Sequence, residues 1–233
     1  MSAPASIHDR IPLGEGVAMP WLGLGTWRST GPDLERAITF AASVGYRLFD
    51  TASLYGNEEE VGRALRATGL PRPELFVTSK VWNDRQGDDS TLRSFDESLR
   101  RLGIEYLDLY LIHWPVPGKA RDTWRALERL HREGRARAIG VSNFLVHHLE
   151  ELLPHVQVRP QVNQVEFHPH LVQRDLLQYC RDRGLRVQAW QPIMRGRVKS
   201  LPVLQEIAER HGRTPVQVVL RWDLQHGVSP IPK

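Results

Sequence analysis

Residues 76–113, FVTSKVWNDRQGDDSTLRSFDESLRRLGIEYLDLYLIH, contain two short β-branched or apolar runs separated by a longer amphipathic stretch. The runs at residues 76–80 and 107–113 predict strands, and residues 91–102 predict a helix that ends before Gly103. A strand, a helix and a second strand in this order are typical of two parallel strands joined by a crossover helix.

The same unit recurs along the whole chain. Eight runs predict strands, at residues 22–26, 47–50, 76–80, 107–113, 136–142, 161–166, 186–190 and 228–232. Further helices are predicted at residues 33–44 and 201–211, and from Thr214-Pro215 to Gln225. The units repeat at roughly 25 to 30 residues, which is the spacing that a closed (β/α)₈ barrel requires. The sequence therefore predicts an α/β fold, a (β/α)₈ TIM barrel.

The opening segment has a different pattern. Ile11-Pro-Leu and Val17-Ala-Met-Pro flank a short turn, Gly14-Glu-Gly16, which predicts an antiparallel β-hairpin. We expect this N-terminal hairpin to plug one end of the barrel. Because no linker, low-complexity tract or charge block interrupts the chain, residues 1–233 are predicted to form a single barrel domain.

Composition restricts the class of protein. The chain has 233 residues, of which 41% are hydrophobic and 25% charged, as in ordinary globular proteins. No apolar run approaches the roughly 20 residues of a membrane span, and the start, Met-Ser-Ala-Pro-Ala-Ser, lacks the layout of a signal peptide. The single cysteine, Cys180, cannot form an internal disulfide and is interpreted as structural. We therefore expect a cytoplasmic protein without a membrane partner.

The net charge of +4 raises the question of nucleic-acid binding. The arginines, however, alternate with glutamates on predicted helix faces, as in Arg125, Glu128, Arg129 and Glu133. A solvated surface explains this pattern better, so no nucleic-acid partner is predicted.

Polar residues end three consecutive predicted strands. Asp50 ends the second strand, with Tyr55 just beyond it, Lys80 ends the third, and His113 ends the fourth. In a (β/α)₈ barrel the carboxyl ends of the strands form one mouth, and neighbouring strands lie about 4.8 Å apart. We therefore expect an acid, a phenol, an ammonium and an imidazole to meet there.

This combination suits proton transfer from a tyrosine. A phenol with an ordinary pKa near 10 is a poor proton donor at neutral pH, and a nearby cation stabilises its phenolate. Lys80 supplies such a charge, Asp50 is suited to hold Lys80, and His113 is suited to orient a carbonyl or to share the proton relay. Alternatively, Asp50 and Lys80 only join two strands and His113 bonds to backbone in the core, but their joint placement favours a site.

The stretch GYRLFDTASLYGNEEEVG, residues 45–62, resembles the first signature of the aldo-keto reductase family. The segments TSKVWN (78–83), LIHWP (111–115) and GVSNF (140–144) follow in the order found in that family. The resemblance covers almost the whole chain and implies a catalytic tetrad of Asp50, Tyr55, Lys80 and His113. In that tetrad Tyr55 is the general acid of carbonyl reduction.

The resemblance also implies an NADPH site built on the barrel. No G-x-G-x-x-G fingerprint follows any predicted strand, and Gly23-Leu-Gly25 is too short to be one. The implied cofactor-binding residues are Gly25, Thr26, Trp27, Asp50, Ser142, Asn143, Gln164, Trp190 and Lys233. Ser142, Asn143 and Gln164 are expected to bond the carboxamide. Trp190 is expected to stack on the nicotinamide, although plain strand-end packing remains an alternative, and Lys233 is expected to contact the 2′-phosphate.

Transfer from a nicotinamide needs no protein nucleophile, only a carbonyl held against the cofactor with its oxygen near Tyr55. Several aromatic and apolar residues lie on or just after strand ends, where we expect them to wall an apolar pocket. The predicted substrate-binding residues are Trp27, Tyr55, Trp82, His113 and Trp114, and Leu54 and Phe167 are expected to complete the wall.

Two segments depart from the family pattern. After the seventh strand, Pro192-Ile-Met-Arg-Gly196 is similar to bacterial members that reduce glyoxals and sugar-derived diketones, while Gln191 replaces a small serine. After Ile231-Pro-Lys233 the rest of the expected adenosine clamp, the last barrel helix and a substrate-covering tail are absent. We therefore expect this sequence to be C-terminally truncated.

The sequence thus predicts an NADPH-dependent oxidoreductase that reduces aldehydes, ketoaldehydes or diketo sugars to alcohols. We expect a monomer with a small carbonyl substrate and no metal. One alternative is a Schiff-base lyase that uses Lys80, which Asp50 disfavours by keeping Lys80 charged. A second alternative is a cofactor-sensing or partner-binding barrel without catalysis, which the intact tetrad disfavours.

Overall fold

The structure is a computed structural model that describes residues 3–14 and 16–233. Within these residues, eight parallel strands form a nearly closed barrel with helices between them, which confirms the predicted fold. The barrel strands are β3 (Gly23–Gly25), β4 (Leu48–Asp50), β5 (Phe76–Val81), β6 (Leu107–Ile112), β7 (Ala136–Ser142), β8 (Val162–Glu166), β9 (Arg186–Trp190) and β10 (Val228–Pro230). Among the described residues no helix combines the length and the apolar character that crossing a membrane requires.

Eight α-helices of the described residues cover the outside of the barrel. They are α1 (Gly31–Ser43), α2 (Glu58–Ala67), α3 (Asp88–Leu102), α4 (Ala120–Arg132), α5 (Val146–Leu152), α6 (Arg174–Asp182), α7 (Pro202–His211) and α8 (Pro215–Gln225). The start of α8 follows the predicted signals, since Thr214 caps the helix by accepting a bond from the Gln217 amide and Pro215 occupies its first turn.

The N-terminal hairpin is present as predicted. Its strands β1 (Arg10–Gly14) and β2 (Val17–Pro20) pair antiparallel, with Arg10 opposite Pro20. Glu15, at the predicted turn, lies outside the described residues. The apolar side chains of the hairpin pack against inward-facing residues at the starts of the barrel strands, such as Leu48, Phe76 and Val162. The hairpin therefore closes the amino-terminal end of the barrel and leaves the carboxyl end as the mouth.

Side chains alternate along each barrel strand between two cores. Phe49, Val77 and Tyr110 face outward into the main core between strands and helices. Their neighbours Leu48, Phe76 and Leu109 face inward and join the smaller core above the hairpin. Successive residues of a strand thus point alternately outward, against the helices, and inward, into the barrel. We call this alternation the parity of a residue in its strand.

The barrel is closed at a seam between β3 and β10. In the described part of the chain these two strands are the edges of the sheet, and the Gly25 amide donates to the Pro232 carbonyl across the gap at 2.9 Å. The Lys233 ammonium donates to the Arg28 carbonyl at 3.0 Å, although 205 residues separate the two in sequence. A Cβ at Gly23 would lie 2.2 Å from Leu48 Cδ2, so glycine allows the close approach there.

One buried acid has no hydrogen-bond partner in the described part of the chain. Asp223 on α8 is fully buried, and neither of its carboxylate oxygens has a hydrogen-bond partner among the described residues. This burial raises the pKa of Asp223 to about 9.

Candidate active site

The four predicted tetrad residues lie together at the barrel mouth. Asp50 is the last residue of β4, Lys80 is next to last in β5, and His113 directly follows β6. Tyr55 ends the short 3₁₀ helix Ser53–Tyr55, which follows β4. The inward parity of Asp50, Lys80 and His113 explains why side chains from three strands converge.

Lys80 is the centre of this cluster. Its ammonium donates to Asp50 Oδ1 at 2.6 Å, to the Thr51 carbonyl at 2.8 Å and to the Tyr55 hydroxyl oxygen at 3.3 Å. Three donors meet three acceptors, which exhausts the hydrogen-bonding capacity of an ammonium group. Since Lys80 is fully buried and Asp50 nearly so, the pair lies in a region of low dielectric constant where its attraction is strong.

The contacts fix the charge state of Lys80. Burial alone lowers the pKa of Lys80, but the carboxylate of Asp50 and the phenol of Tyr55 outweigh it, and the net pKa is raised. Lys80 is therefore protonated at neutral pH. For Tyr55, burial raises the pKa of the hydroxyl above its ordinary value, and the positive charge of Lys80 opposes that shift.

His113 is held as a neutral imidazole. Burial, and to a lesser degree the charge of Lys80, lower the pKa of His113 to about 2. Its buried Nδ1 has no hydrogen-bond partner among the described residues. Its ring meets the Tyr55 ring edge-on, with centroids 5.7 Å apart. A neutral imidazole donates a hydrogen bond but does not supply a labile proton, so Tyr55 and His113 differ in what they can do.

Aromatic side chains surround the tetrad at the mouth. The Trp27 ring lies 4.8 Å from that of Tyr55, and the Trp82 ring lies 5.0 Å from that of His113. Trp114 is 41% exposed although it directly follows His113, and Leu54 is similarly exposed beside Tyr55. Large apolar groups left open to solvent next to a polar cluster are typical of a ligand pocket.

Phe167 does not line this pocket, and its prediction as a wall residue is wrong. Its side chain is fully buried in the outer core, where it stacks on Trp222 of α8 with centroids 5.1 Å apart. The reason is parity, because Gln164 and Glu166 face the barrel interior, so Val165 and Phe167 face the helices.

A second group of predicted residues occupies the opposite side of the mouth. Ser142 Oγ donates to the Gln164 carbonyl at 2.7 Å. The Asn143 amide donates to the His113 carbonyl at 2.9 Å, and its Oδ1 accepts from the Trp190 indole at 2.9 Å. These bonds join the ends of β7, β8 and β9 into one neutral network.

Gln164 connects this network to the tetrad. Its Nε2 donates to Asp50 Oδ2 at 2.8 Å and to Gln188 Oε1 at 2.6 Å. Both hydrogens of the side-chain amide are thereby used, which leaves the side-chain oxygen Oε1 of Gln164 to accept from a ligand. A buried side-chain acceptor of this kind beside the half-buried ring of Trp190 fits the carboxamide of a nicotinamide.

The remaining predicted cofactor residues lie at the seam. Thr26 is buried and bonds the Asp50 carbonyl through both its amide and its hydroxyl, at 3.0 and 2.9 Å. Gly25 precedes it, and Lys233 is exposed across the gap. The structure thus places Lys233 at the seam, next to the segment that carries Trp27.

Two supporting residues were missed by sequence reasoning. Gln188 holds Gln164 from within the barrel, and its inward parity on β9 is a signal that could have identified it. Asn57 is almost completely buried beside the tetrad, and it stands inside the quoted stretch at residues 45–62. Its importance depends on bonds to segments that are distant in sequence, for which the sequence gives no signal.

Comparison with known proteins identifies relatives over the whole length. The model of the "Aldo/keto reductase family" matches residues 21–233. The chain is 53% identical over 231 residues to a glyoxal reductase of Bacillus subtilis, which covers 99% of this chain and 84% of the relative. An aldo/keto reductase of Brucella melitensis shares the fold with a TM-score of 0.91 at 41% identity, covering 97% of this chain and 88% of the other. A point mutant of Gox0644, crystallised with NADPH, has a TM-score of 0.89 at 47% identity, with coverage of 97% and 82%.

Proposed function

The chain belongs to the aldo/keto reductase family, and on that premise we propose that it is an NADPH-dependent reductase of small carbonyl compounds with Tyr55 as general acid. The observation that carries this proposal is the contact of 3.3 Å between the Lys80 ammonium and the Tyr55 hydroxyl oxygen. Lys80 is at the same time fixed by Asp50 and the Thr51 carbonyl, so its charge cannot move away from Tyr55.

In this proposal the proton passes from Tyr55 Oη to the carbonyl oxygen of the substrate. When bound, NADPH supplies the two electrons and the hydrogen that reduce the carbonyl carbon. The phenolate left on Tyr55 is stabilised by the neighbouring ammonium of Lys80, which lowers the cost of giving up the proton.

His113 orients the substrate rather than donating the proton. Because its pKa is lowered to about 2, it is neutral over the whole physiological range. As a neutral ring it offers one N–H to the carbonyl oxygen, opposite Tyr55. Two donors on one oxygen both position the carbonyl and polarise it.

NADPH is proposed to lie across the side of the mouth formed by the ends of β7, β8 and β9. Ser142, Asn143 and Gln164 are suited to bind a carboxamide, because they offer both amide and hydroxyl groups within one bonded network. Trp190 offers its ring for stacking, and Lys233 offers the positive charge for a 2′-phosphate. The full proposed set is Gly25, Thr26, Trp27, Asp50, Ser142, Asn143, Gln164, Trp190 and Lys233.

The proposed substrates are small aldehydes, ketoaldehydes and diketo sugars. The pocket walls Trp27, Trp82 and Trp114 are large and rigid, so the space above Tyr55 and His113 suits a compact molecule. The similarity to a glyoxal reductase over nearly the whole chain supports the class of small aldehydes.

The charge of Lys80 argues against the alternative lyase chemistry. A Schiff base requires an unprotonated amine, whereas the pKa of Lys80 is raised by Asp50 and Tyr55 against the effect of burial. Its three hydrogen bonds also hold the nitrogen away from the open mouth.

The test is a steady-state assay of NADPH consumption with a carbonyl panel that includes glyoxal, methylglyoxal, an aromatic aldehyde and a diketo sugar. We expect turnover with several members, and faster turnover with NADPH than with NADH. A Tyr55→Phe preparation serves as the matched control for contaminating reductases. No turnover above that control for any substrate would refute the proposed function.

A further inference from the structure

Asn57 occupies the N-cap position of α2 but does not cap it. Asparagine is among the preferred N-cap residues because its side chain accepts a bond from the first turn of the helix. Here the side chain makes no such bond, and it is 1% exposed. The amide is directed away from the helix that follows it and toward the barrel mouth.

The Asn57 amide joins three segments of the mouth. Its Oδ1 accepts from Thr51 Oγ1 at 2.9 Å. Its Nδ2 donates to the Thr26 carbonyl and to the Ser29 carbonyl, each at 2.9 Å. Both amide hydrogens and the carbonyl oxygen are therefore engaged, and every bond goes to a segment other than α2.

Each of these segments carries a group of the proposed site. The carbonyl of Thr51 accepts from the Lys80 ammonium at 2.8 Å. Thr26 and Ser29 flank Trp27, whose ring packs against Tyr55 at 4.8 Å. Asn57 itself follows Tyr55 by two residues, so it links the supports of Lys80, Trp27 and Tyr55.

The turn that carries Trp27 needs such a support. Its backbone is closed by a bond of 3.0 Å from the Ser29 amide to the Thr26 carbonyl. Arg28 within it has a φ of 58°, a left-handed conformation that is unfavourable for a residue with a side chain. Because Asn57 bonds the carbonyls at both ends of the turn, it holds this conformation in place.

We propose that Asn57 is a positioning residue of the active site, whose amide fixes the Trp27 turn and Thr51 relative to Tyr55 and Lys80. The proposal rests on the proposed reductase function. It predicts that Asn57 affects the chemical step more strongly than the binding of NADPH.

The first experiment measures kcat, KM and the NADPH dissociation constant of Asn57→Ala. We expect kcat to fall by at least about tenfold, since displacement of a reacting group by about 1 Å can cost about a hundredfold. The dissociation constant of NADPH is expected to rise by a smaller factor than kcat falls, because Thr26 and Trp27 of the proposed cofactor set lie in the turn whereas the proposed carboxamide contacts lie on other strands.

Gln161→Ala is the matched control for general destabilisation. Gln161 also bridges backbone groups through a side-chain amide, to the Ile139 amide at 2.8 Å and the Leu13 carbonyl at 3.0 Å. It lies at the hairpin end of the barrel, opposite the mouth. We expect this variant to lower the melting temperature as Asn57→Ala does and to leave kcat unchanged.

Thr51→Val provides a milder variant should Asn57→Ala fold poorly. It removes only the hydroxyl that bonds Asn57 and keeps the volume and the carbonyl that holds Lys80. We expect a smaller loss of kcat, and almost no further loss when Thr51→Val is added to Asn57→Ala, because the two changes break the same bond.

Hydrogen exchange of the segment 26–29 gives a readout that does not depend on turnover. In Asn57→Ala the Ser29 amide should exchange faster, while segments at the hairpin end stay unchanged. Unchanged exchange in the turn, or unchanged kcat with a loosened turn, would overturn the proposal. A wild-type enzyme that turns over none of the panel would instead refute the reductase function, and the exchange result would still decide whether Asn57 fixes the turn.

Discussion

The two sides of the barrel mouth are built from different kinds of polar contact. On the side of β4 to β6, the buried ammonium of Lys80 bonds both the carboxylate of Asp50 and the phenol of Tyr55. On the side of β7 to β9, Asn143, Gln164 and neighbouring groups form a network of neutral amides, a hydroxyl and an indole. We call these the charged side and the neutral side.

The difference separates two tasks. A buried charge changes its interaction energy greatly when a neighbouring proton moves, whereas a neutral amide mainly fixes the position of its partner. Changes on the charged side should therefore alter rate and pH dependence, and changes on the neutral side or the seam should alter affinity. Gln164 bonds Asp50 and so links the two tasks.

The largest expected effect is on the charged side, at Tyr55. Tyr55→Phe removes the proposed proton donor and keeps the ring that packs against Trp27. We expect turnover to fall by at least about a hundredfold, the usual effect of losing acid–base catalysis, with NADPH affinity unchanged. Steady-state kinetics and a binding titration measure both quantities.

Tyr179→Phe on α6 is the control for this change, because it removes a phenol outside the mouth. Near-normal turnover in Tyr55→Phe would show that Tyr55 is not the proton donor and that the charged side does not control the rate.

The second effect concerns the pH–rate profile. Lys80 lowers the pKa of Tyr55 against the larger opposing effect of burial. Lys80→Met removes this influence, so the pKa of Tyr55 should rise. Since the donor must be protonated, the alkaline limb of the profile should move to higher pH while the maximal rate falls.

Lys119→Met, at an exposed lysine, is the control and should leave the profile in place. If Lys80→Met lowered the rate but left the alkaline limb of the pH–rate profile in place, Lys80 would be only a structural partner of Asp50.

A smaller effect is expected at the seam, on affinity alone. Lys233→Ala removes an exposed ammonium whose bond in this structure is to the Arg28 carbonyl. We expect NADPH to bind about tenfold more weakly, which is about 1.4 kcal/mol, and NADH to be affected much less, because it lacks the 2′-phosphate.

Fluorescence titrations with both cofactors measure this difference, and Lys199→Ala is the control. Equal losses for NADPH and NADH would show that Lys233 serves only to close the seam.

Substitution of Asp223 is expected to leave activity unchanged and to alter stability. It tests the premise that a buried charged group is destabilising unless it has partners. Its pKa is raised by burial to about 9, so the folded chain holds a proton that the unfolded chain has released above its ordinary pKa of 3.8. Folding stability should therefore decrease as the pH rises from about 4 toward about 9. Asp223→Asn should raise the melting temperature at about pH 8 by at least about 2–4 °C, as for about 1 kcal/mol, and change little near pH 4.

Asp122→Asn, at a partly exposed acid on α4, controls for net charge. A melting temperature of Asp223→Asn that tracks the wild type at every pH would mean that Asp223 has a partner in solution.

Much of the fold and of the tetrad could be predicted because both follow from periodicity. The eight runs and their helices give the barrel, and the observed strand bounds differ from the predicted ones by only a few residues. Asp50, Lys80 and His113 could be grouped because strand ends share one face of a parallel barrel. The family resemblance is likewise confirmed.

The rest depends on geometry that a linear pattern does not contain. Phe167 was misassigned although its parity relative to Gln164 was readable, which shows that position after a strand is a weaker guide than parity. The bonds of Asn57 to Thr26 and Ser29 cross from one connection to another. Burial raises the pKa of Tyr55 and the charge of Lys80 lowers it. Which effect is larger depends on distances that the sequence does not contain.

The seam has a consequence for the order in which the barrel folds. Every other pair of neighbouring barrel strands in the described chain is consecutive in sequence and is joined by one or two α-helices, whereas the seam brings together groups separated by 205 residues. Closing so long a loop costs more entropy than closing one strand–helix–strand unit, and contacts of large sequence separation form slowly. Local strand–helix–strand units should therefore assemble first, and the bond from the Gly25 amide to the Pro232 carbonyl should be among the last to form. The neutral and charged sides of the mouth would then be in register before the two segments that carry Trp27 and Lys233 meet and complete the ring.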